Sequence, residues 1–327
     1  MLEILSRIIN RFPKETVWVF SYGSAIRNQK QKKMIDLIFV VKNAMKWHQQ
    51  NILLNKSHYS ITNSMFGSKF LTYLQNSAAG VFFKTHIPIE DKIVKYGVVE
   101  ESRLVADLYK WDYLYLAGRL HKPIVNVDPP DTDIRLKNAY EKNLSSALRC
   151  SLLLLPEKFT DQMLFQTITS LSYKGDFRMY FAEDVNKINN IVGKQKSEFK
   201  ILYKDLITNQ FKPYLHANND LTHFEQDTRD DVIFAHLNQL PSHLAYLLHK
   251  EFIRKFRKMY DQEESFSLMA KWPELPVYIN KCLRRIVLIS SAKQSLKGLF
   301  TTGIINSLLY SLRKLGKGID SQFNVKT

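Results

Sequence analysis

The sequence has little cysteine and no long hydrophobic run. Cys150 and Cys282 are the two cysteines in 327 residues. They are too few and too far apart for a disulfide scaffold or a zinc site, so both are interpreted as small apolar residues in a reducing compartment. The longest apolar runs are short stretches such as 152–155. A membrane helix needs about 20 apolar residues, so the sequence predicts no membrane span.

Acidic residues are also scarce, since 31 Asp and Glu face 47 Lys and Arg, and the formal net charge is +16. Such an excess indicates polyanionic partners: nucleic acid, nucleotide phosphates or an anionic lipid surface. Half of the excess lies in residues 281–327, where nine Lys and Arg stand against one acid, Asp320. With 45% apolar residues, the chain is predicted to be globular, with one to three domains.

Hydrophobic spacing predicts a mixture of strands and helices without internal repeats or low-complexity linkers. Residues 2–12 have one apolar helical face; a cleaved mitochondrial presequence is an alternative, but Glu3 and the strand that begins at Val17 favour a first helix of the fold. Further strands are predicted at 17–20, 34–41, 81–83 and 172–181, and helices at 101–120, 136–155 and 160–174. The chain after 181 is predicted to be mainly helical. The polar stretch 218–231, with His216 and His223, is interpreted as a surface loop rather than a metal site.

The stretch VWVFSYGSAIRNQKQKKMIDLIFVV, residues 17–41, places one carboxylate, Asp36, in an otherwise apolar strand. Before it, a strand breaks at Gly23-Ser24, where backbone N–H groups and a hydroxyl can meet phosphate oxygens, because glycine lets a ligand approach closely. A carboxylate on the neighbouring strand can hold Mg²⁺ against the same phosphates. A metal would explain the acid, since an unpaired buried carboxylate is very costly.

Gly-Ser followed by a strand aspartate resembles the signature of the nucleotidyltransferase superfamily of the DNA polymerase β type. The superfamily usually carries a second acid two residues after the first, where this chain has Ile38. A third acid normally comes from a later strand, and Asp176 in YKGDFRM is the candidate. The local sequence is equally compatible with Ser24 as a turn residue and Asp36 as a surface acid of an edge strand.

Longer segments resemble the mitochondrial-type phosphatidate cytidylyltransferases, which are CDP-diacylglycerol synthases also called translocator assembly and maintenance proteins. The resemblance rests on FSYGSAI (20–26), MIDLIFVV (34–41), WHQQN (47–51), SHYS (57–60), KYGVV (95–99), LYLAGRLHKPI (114–124), SYKGDFRM (172–179), EDVNKINNIV (183–192) and SSAKQSLKGLFTTGI (290–304). These segments follow the family's order and span most of the chain, whereas 195–285 contributes little. The family's motif also resembles MIDLIF in carrying one strand acid.

The resemblance implies a peripheral membrane enzyme that transfers CMP from CTP to phosphatidic acid, giving CDP-diacylglycerol and pyrophosphate. The implied fold is α+β, with a polymerase-β-type nucleotidyltransferase domain at 1–190, a helical, winged-helix-like domain at 191–285 and a basic amphipathic C-terminal segment at 286–327. Mg²⁺ is the expected cofactor, with Mn²⁺ or Co²⁺ as alternatives. The expected partners are CTP, phosphatidic acid and an anionic membrane surface, and no nucleic acid. The sequence leaves open the oligomeric state, and whether the enzyme lies on the cytoplasmic face of a bacterial membrane or the matrix face of the mitochondrial inner membrane.

Asp36 and Asp176 are the expected metal ligands and, with Lys174 and Lys297, the expected catalytic residues. Gly23 and Ser24 are expected to cradle the β- and γ-phosphates of CTP. The other candidates for contacts with substrate phosphate or ribose are His48, His58, Tyr59, Arg119, Lys122, Arg178, Asn186, Lys187 and Lys293. On a strand, residues 174, 176 and 178 would share one face.

These candidates also have structural interpretations. A histidine beside aromatic residues is often a hydrogen-bonded packing residue, and Arg119 and Lys122 would favour a helix end through its dipole. The apolar stripe at 304–315, with Arg313, Lys314 and Lys317, predicts an interfacial helix, with core packing as the alternative. Two other functions stay open: a nucleotidyltransferase with an RNA or small soluble acceptor, and a non-enzymatic membrane-associated factor.

Overall fold

The computed structural model describes residues 2–23, 34–59, 61–129, 133–176 and 186–302, with the backbone alone at 61–66 and 299–302. The chain divides into two compact units. The first takes Met1–Ala106, Ile124–Ala139 and Ser290–Thr327, and the second takes Asp107–Pro123 and Tyr140–Ile289. Among the described helices, none has the length and apolar character needed to cross a membrane.

The first unit is built on a five-stranded mixed sheet. Its strands are β1 (Trp18–Tyr22), β2 (Ile35–Val41), β3 (Val81–Ile89), β4 (Lys92–Glu100) and β5 (Val125–Asp128), in the order β3-β4-β2-β1-β5. The central strand β2 is antiparallel to β1 and parallel to β4, while the pairs β1–β5 and β3–β4 are antiparallel. The three strands predicted in this region are confirmed. The sequence pattern misses β4, which lysines interrupt, and β5, which is four residues long.

Helices account for most of the remaining structure. In chain order they are α1 (Leu2–Ile9), α2 (Ala44–Leu54), α3 (Ile61–Asn76), α4 (Glu101–Lys110), α5 (Ile134–Leu152), α6 (Asp161–Ser170), α7 (Lys187–Asp205), α8 (Asp230–Asn238), α9 (Ser242–Phe256), α10 (Gln262–Ala270) and α11 (Leu275–Thr302). The combination confirms the α+β class at the coarse level. The stripe at 304–315, like Ser24 and Arg178, lies outside the described residues.

The core of the first unit lies against one face of its sheet. Leu5 and Ile8 of α1 and Trp47 of α2 are buried in one cluster with residues of β2 and β4. The ring of Phe12, which follows α1, lies 4.7 Å from the ring of Phe39 on β2. The amphipathic helix predicted at the start of the chain is therefore confirmed, and its apolar face forms part of this core.

The second unit contains a three-stranded antiparallel sheet of β6 (Lys158–Thr160), β7 (Leu215–Ala217) and β8 (His223–Gln226), in the order β6-β8-β7. The rings of Phe159 and Phe224 stack at 5.4 Å. The loop predicted at 218–231 is thus wrong for β8 and for the start of α8. The reason is tertiary: the Gln226 side-chain amide donates to the carbonyls of Leu152, Leu155 and Pro156, which follow α5 or end it.

The helix predicted at 101–120 ends at Lys110, although the apolar periodicity continues. The buried carboxylate of Asp107 accepts hydrogen bonds from the amides of Tyr113, Leu114 and Ala117 at 2.8, 3.0 and 3.3 Å. These amides would otherwise join a continuing helix. Burial raises the pKa of this carboxyl above its usual range, in opposition to the three hydrogen bonds. One side chain therefore turns the chain into the irregular segment that carries Arg119 and Lys122.

The strand predicted at 172–181 is wrong for its first part, since 171–175 form turns. Gly175 has a φ of 81°, and a Cβ at this position would lie 2.5 Å from Cγ of Arg284. Both the close approach of Arg284 and the left-handed backbone require glycine at this position. The chain therefore turns at Gly175, where a strand would need extended backbone. The remainder, 177–181, lies outside the described residues.

Candidate active site

Asp36 lies near the start of β2, opposite Tyr22, the last residue of β1. The hydroxyl of Ser21 donates to the Asp36 carbonyl at 2.9 Å and holds the two strands in register. Gly23 follows β1 with a φ of 90°, and a Cβ there would lie 3.3 Å from Asp36 Oδ2. Glycine at this position therefore keeps the space beside the carboxylate open and relieves backbone strain.

The Asp36 carboxylate has one unsatisfied oxygen. Its Oδ1 atom is buried and has no hydrogen-bond partner among the described residues. Among the described residues, Oδ1 forms an ion pair with Lys95, its neighbour across the parallel β2–β4 pair, with Nζ at 3.4 Å. The Asp36 side chain remains 23% exposed, so a ligand can reach it. A buried carboxylate oxygen without a hydrogen bond is costly, and the arrangement suits a bound cation.

The donor set fits a magnesium ion that is held mainly by substrate. In the part of the chain that the structure describes, no group of three or more His, Cys, Asp or Glu side chains forms a metal cluster. Mg²⁺ is commonly bound by one or two carboxylates together with substrate phosphates and water, rather than by an all-protein cage. Asp36, with an Oδ1 that accepts no hydrogen bond within the described residues and the open space beside Gly23, matches that mode.

Substitution of Gly23 by alanine is expected to lower activity about tenfold and the free energy of unfolding by about 1 kcal/mol. The added Cβ would meet Asp36 Oδ2 and require a left-handed backbone. Steady-state kinetics and urea unfolding measure the two effects. Gly193→Ala on α7 is the control, because a Cβ at Gly193 meets no atom within 4 Å; equal effects of the two substitutions would contradict the prediction.

His48 and Tyr59 belong to a buried hydrogen-bond network in the first unit. The His48 ring lies 3.2 Å from the Tyr59 hydroxyl through Nδ1 and 2.9 Å from Gln75 Oε1 through Nε2. The Asn51 amide donates to the hydroxyls of Tyr59 and Tyr96 at 2.8 and 3.1 Å. Burial lowers the pKa of His48 to about 4, so the ring is neutral at physiological pH. The network has a clear packing role, and a substrate contact of either residue stays a prediction.

His58 and Lys84 border this network. The Nδ1 atom of the half-buried His58 lies 3.4 Å from the Tyr96 hydroxyl, and burial, followed by the charge of Lys84, lowers its pKa to about 4. Lys84 is 4% exposed, with Nζ 5.2 Å from the centre of the Tyr59 ring. Burial lowers the pKa of Lys84 to about 8. The sequence motifs did not include Lys84, although a lysine within the apolar run VFFK is a signal for a buried cation.

The two lysines predicted on α11 have different surroundings. Lys293 is exposed, whereas Lys297 is buried and donates to the carbonyls of Gln75 and Ser77 at 3.1 and 2.8 Å. These carbonyls lie at the carboxyl end of α3, where a cation also favours the helix dipole. Burial lowers the pKa of Lys297 to about 7. Lys297 thus has a structural partner in the first unit, and its catalytic role stays a prediction.

Three predicted cations come together in the second unit. Burial, followed by the charges of Arg119 and Lys187, lowers the pKa of Lys122 well below its usual range. The Nζ atoms of Lys122 and Lys187 lie 5.2 and 5.0 Å from the centre of the same ring, Tyr173. We call Arg119, Lys122 and Lys187 the cation cluster. Mutual repulsion within such a cluster is relieved by a bound anion.

Hydrogen bonds hold the members of the cluster in place. Lys122 donates to the Gly118 carbonyl and, at 3.0 Å, to the Ser172 hydroxyl. Arg119 donates to the Tyr115 carbonyl at 2.7 Å, and its guanidinium lies 4.0 Å from the centre of the Tyr115 ring. The aromatic partners were missed because the motifs that contain them, LYLAGRLHKPI for Tyr115 and SYKGDFRM for Tyr173, do not indicate which groups the chain brings together.

The other predicted residues of this unit lie in turns or at a helix end. Lys174 donates to the Asn280 side chain, and burial lowers its pKa. Asp176 is buried, and its amide donates to the Tyr173 carbonyl at 3.2 Å. Asn186 directly precedes α7, and its carbonyl accepts from the Asn190 amide at 2.8 Å. Their assignment to the reaction stays a prediction.

Removing one cation from the cluster is expected to weaken binding of the anionic substrates. Lys187→Met or Arg119→Met should each raise the KM for CTP or phosphatidate about tenfold, the effect of losing one charge-assisted hydrogen bond. Steady-state kinetics with each substrate varied in turn measures this. Lys204→Met, at an exposed position of the same helix as Lys187, should leave both KM values unchanged. Equal effects at 187 and 204 would argue against an anion site.

Comparison with known proteins covers nearly the whole chain. The model of the family described as "Phosphatidate cytidylyltransferase, mitochondrial" matches residues 5–317. The protein of that name from Drosophila melanogaster is 37% identical, over 97% of this chain and 99% of the fly protein. Those from Caenorhabditis elegans and Schizosaccharomyces pombe are 36% and 35% identical, over 96% and 98% of this chain and 98% and 85% of their own lengths. The resemblance inferred from the motifs is confirmed: this chain belongs to the mitochondrial phosphatidate cytidylyltransferase family.

Proposed function

We propose that the chain transfers the cytidylyl group of CTP to phosphatidate, the reaction for which its family is named, with Asp36 at the centre of the reacting phosphates. The observation that supports this site best is the buried Oδ1 atom of Asp36, which accepts no hydrogen bond within the described residues and lies 3.4 Å from Lys95 Nζ, beside the space that Gly23 leaves open. A carboxylate oxygen that accepts no hydrogen bond can give its lone pairs to a metal ion. The arrangement is what a nucleotide-bound cation needs.

The proposed reaction is an in-line displacement at the α-phosphorus of CTP. A phosphatidate oxygen forms the new bond to the α-phosphorus as the bond to the bridging oxygen breaks, and pyrophosphate leaves with the electron pair. The nucleophile is already an anion, so the protein has little need of a general base. Its main task is to bring two anions together against their repulsion, a task for which lysine and arginine side chains are suited.

Asp36 would hold Mg²⁺, with Asp176 as the proposed second ligand and Mn²⁺ or Co²⁺ as alternative metals. When bound, the ion supplies charge neutralisation for the triphosphate and the departing pyrophosphate. Lys95, with Nζ 3.4 Å from Asp36 Oδ1, adds a positive charge beside the carboxylate. Gly23 and Ser24 are proposed to contact the β- and γ-phosphates through backbone amides.

A finer description of the fold also belongs to this proposal. The sheet that carries Asp36, with Gly23 directly after β1, supports a nucleotidyltransferase domain of the polymerase β type. In the second unit, the order α5-β6-α6-α7-β7-β8 with sheet order β6-β8-β7 supports a winged-helix-like domain. That pattern covers 134–226, earlier in the chain than the 191–285 expected from sequence.

The membrane and compartment assignments are proposals as well. The relatives are named as mitochondrial proteins, and phosphatidate is a lipid that stays in the bilayer. We therefore place the chain as a peripheral protein on the matrix face of the inner membrane, without nucleic acid as a partner. The basic segment 286–327 is proposed to help complete the site or to contact the lipid surface.

Transfer of label from CTP into lipid tests the function directly. The purified chain is incubated with α-phosphate-labelled CTP, phosphatidate vesicles and Mg²⁺, and label is followed into the chloroform-soluble phase. Label is expected there, and it should disappear when phosphatidate is omitted or the metal is chelated, and return with added Mg²⁺. RNA and glycerol 3-phosphate are offered in parallel. Label entering either of these instead of lipid would overturn the proposed acceptor.

A further inference from the structure

One helix of the second unit has an exposed face that is basic and aromatic. The exposed residues of α9 are Ser242, Tyr246, Lys250, Arg254, Lys255 and Phe256. Tyr246, Lys250 and Arg254 follow one another at intervals of four residues and so share a face. The single acid of this helix, Glu251, is 6% exposed and pairs with Arg254 at 2.5 Å and Lys281 at 2.9 Å. The exposed face of α9 is therefore free of negative charge.

This face continues into a protruding tip, residues 256–259. Arg257, with a φ of 52°, ends α9 in the left-handed conformation. Lys258 and Met259 follow, and Met259 is 81% exposed, while Phe256 is 46% exposed. No ion pair of Arg257 or Lys258 is found within the described residues. Two apolar side chains, Phe256 and Met259, thus flank two basic ones directly after the last turn of α9.

One residue of the tip, Phe256, packs against aromatic residues of the same unit. The ring of Phe256 packs 4.6 Å from Phe252 and 5.8 Å from Trp272. Lys255 is not counted among the cations available to a partner, because it pairs with Glu274 and its Nζ lies 4.4 Å from the centre of the Trp272 ring. Phe256 is consequently packed on one side and exposed on the other, and Met259 is exposed three residues later. Singly exposed apolar groups need no explanation, but two exposed apolar side chains with two cations between them are typical of an interfacial surface.

Acidic residues follow the tip and weaken the electrostatic attraction of this region for a polyanion. Asp261, Glu263 and Glu264 occupy the start of α10, where Asp261 accepts from the Glu264 amide at 2.7 Å as the N-cap. These acids complement the helix dipole. They also make a purely electrostatic surface for nucleic acid unfavourable, because they would face its phosphates. Insertion of an apolar tip with cations beside it depends less on the net charge of the region.

We propose that Tyr246, Lys250, Arg254 and the tip form a docking surface for an anionic bilayer. Phe256 and Met259 enter the boundary between headgroups and acyl chains, and Lys250, Arg257 and Lys258 meet lipid phosphates. The inference rests on the proposed function, since phosphatidate is an anionic lipid that the enzyme must reach in a bilayer. The surface is separate in sequence from the basic segment 286–327.

Vesicle flotation with the full chain tests the proposal, using phosphatidylcholine vesicles with and without phosphatidate. The unaltered chain is expected to float with the phosphatidate vesicles only. Met259→Asp should lower the binding constant at least about tenfold, because it removes an apolar side chain that would enter the bilayer and adds a charge that the anionic lipid repels. Lys250→Glu with Lys258→Glu should lower it about fivefold or more for each position.

Matched controls separate docking from folding and from catalysis. Ile201→Asp changes an apolar residue of α7 that is 76% exposed, and Lys204→Glu with Lys212→Glu reverses two exposed charges of the same unit. Both should leave vesicle binding unchanged. With short-chain, water-soluble phosphatidate, the tip variants should retain activity within about twofold, whereas activity on vesicles falls with binding.

Several results would overturn the proposal. The unaltered chain could fail to bind phosphatidate vesicles, in which case the surface would have to be assigned to a protein partner. The tip variants could bind as well as the unaltered chain, which would leave segment 286–327 as the membrane contact. The Ile201→Asp control could lose binding equally. Failure of the proposed function is distinguishable, because it would abolish label transfer to both soluble and vesicle phosphatidate in the unaltered chain.

Discussion

Replacement of Asp36 by asparagine is expected to lower kcat for cytidylyl transfer about a thousandfold, the loss that follows removal of a group stabilising charge in the transition state. Asparagine has nearly the shape of aspartate but no charge with which to hold a divalent cation. The change removes the ion pair with the partly exposed Lys95 but no hydrogen bond of Oδ1, so the fold should tolerate it. The free energy of unfolding is expected to change by less than about 1 kcal/mol.

The matched control for this experiment is Asp128→Asn. Asp128 is exposed on β5 of the same sheet and accepts one hydrogen bond, from the Thr16 hydroxyl at 3.2 Å. Its substitution should leave kcat within about twofold, as expected for a surface position. An Asp36→Asn enzyme that keeps more than about a tenth of the activity would exclude Asp36 as an essential metal ligand. Asp176→Asn, measured in parallel, tests the proposed second ligand independently.

Acidification from about pH 6.5 to about pH 5 is expected to lower the free energy of unfolding by about 5 kcal/mol. Three fully buried histidines are responsible: His48 and His236, whose pKa values burial lowers to about 4, and His121, whose pKa it lowers to about 3. Each ring is held neutral by its surroundings. His236 illustrates this, because its Nδ1 accepts from the buried Arg149 guanidinium at 2.7 Å.

The sign follows from comparison of the folded and unfolded states. An unfolded histidine takes up a proton near pH 6.5, whereas the folded His48, His121 and His236 do so only near pH 3 to 4. Their contribution to the free energy of unfolding is therefore complete above pH 6.5. It is lost as the pH falls toward the pKa values of the folded state. Each ring costs about 0.7 kcal/mol per pH unit at pH 6.5, where the unfolded histidine is half protonated, and the slope approaches about 1.4 kcal/mol per pH unit near pH 5. The sum approaches the whole stability of a typical domain.

Urea unfolding across this pH range measures the effect. His48→Gln is expected to be less stable at neutral pH but to lose up to about 1.4 kcal/mol less per pH unit on acidification, because one neutral ring is absent. His216→Gln, at an exposed position of β7, should leave the slope unchanged. A free energy of unfolding that stays level between about pH 6.5 and about pH 5 would contradict buried neutral histidines.

Sequence reasoning predicts best where the information is local. β1 and β2 are confirmed because uninterrupted apolar residues suit a central strand buried on both faces. The helix predicted at 101–120 fails because periodicity does not reveal that the Asp107 carboxylate binds three amides in the following turn. The strand predicted at 172–181 fails in its first part because Gly175 must approach Arg284 closely. In both cases a tertiary contact overrides the local preference.

By itself, the sequence determined the family, through long motifs in a characteristic order, and singled out Asp36 as an acid that an apolar strand does not explain. Only the tertiary structure decided what surrounds the other candidates. Lys297 bonds to a carbonyl 222 residues away and Lys122 to a hydroxyl 50 residues away, and His48 is neutral because distant residues bury it. Burial, hydrogen bonding and pKa depend on which groups the folded chain brings together. That information is absent from any local pattern of residues.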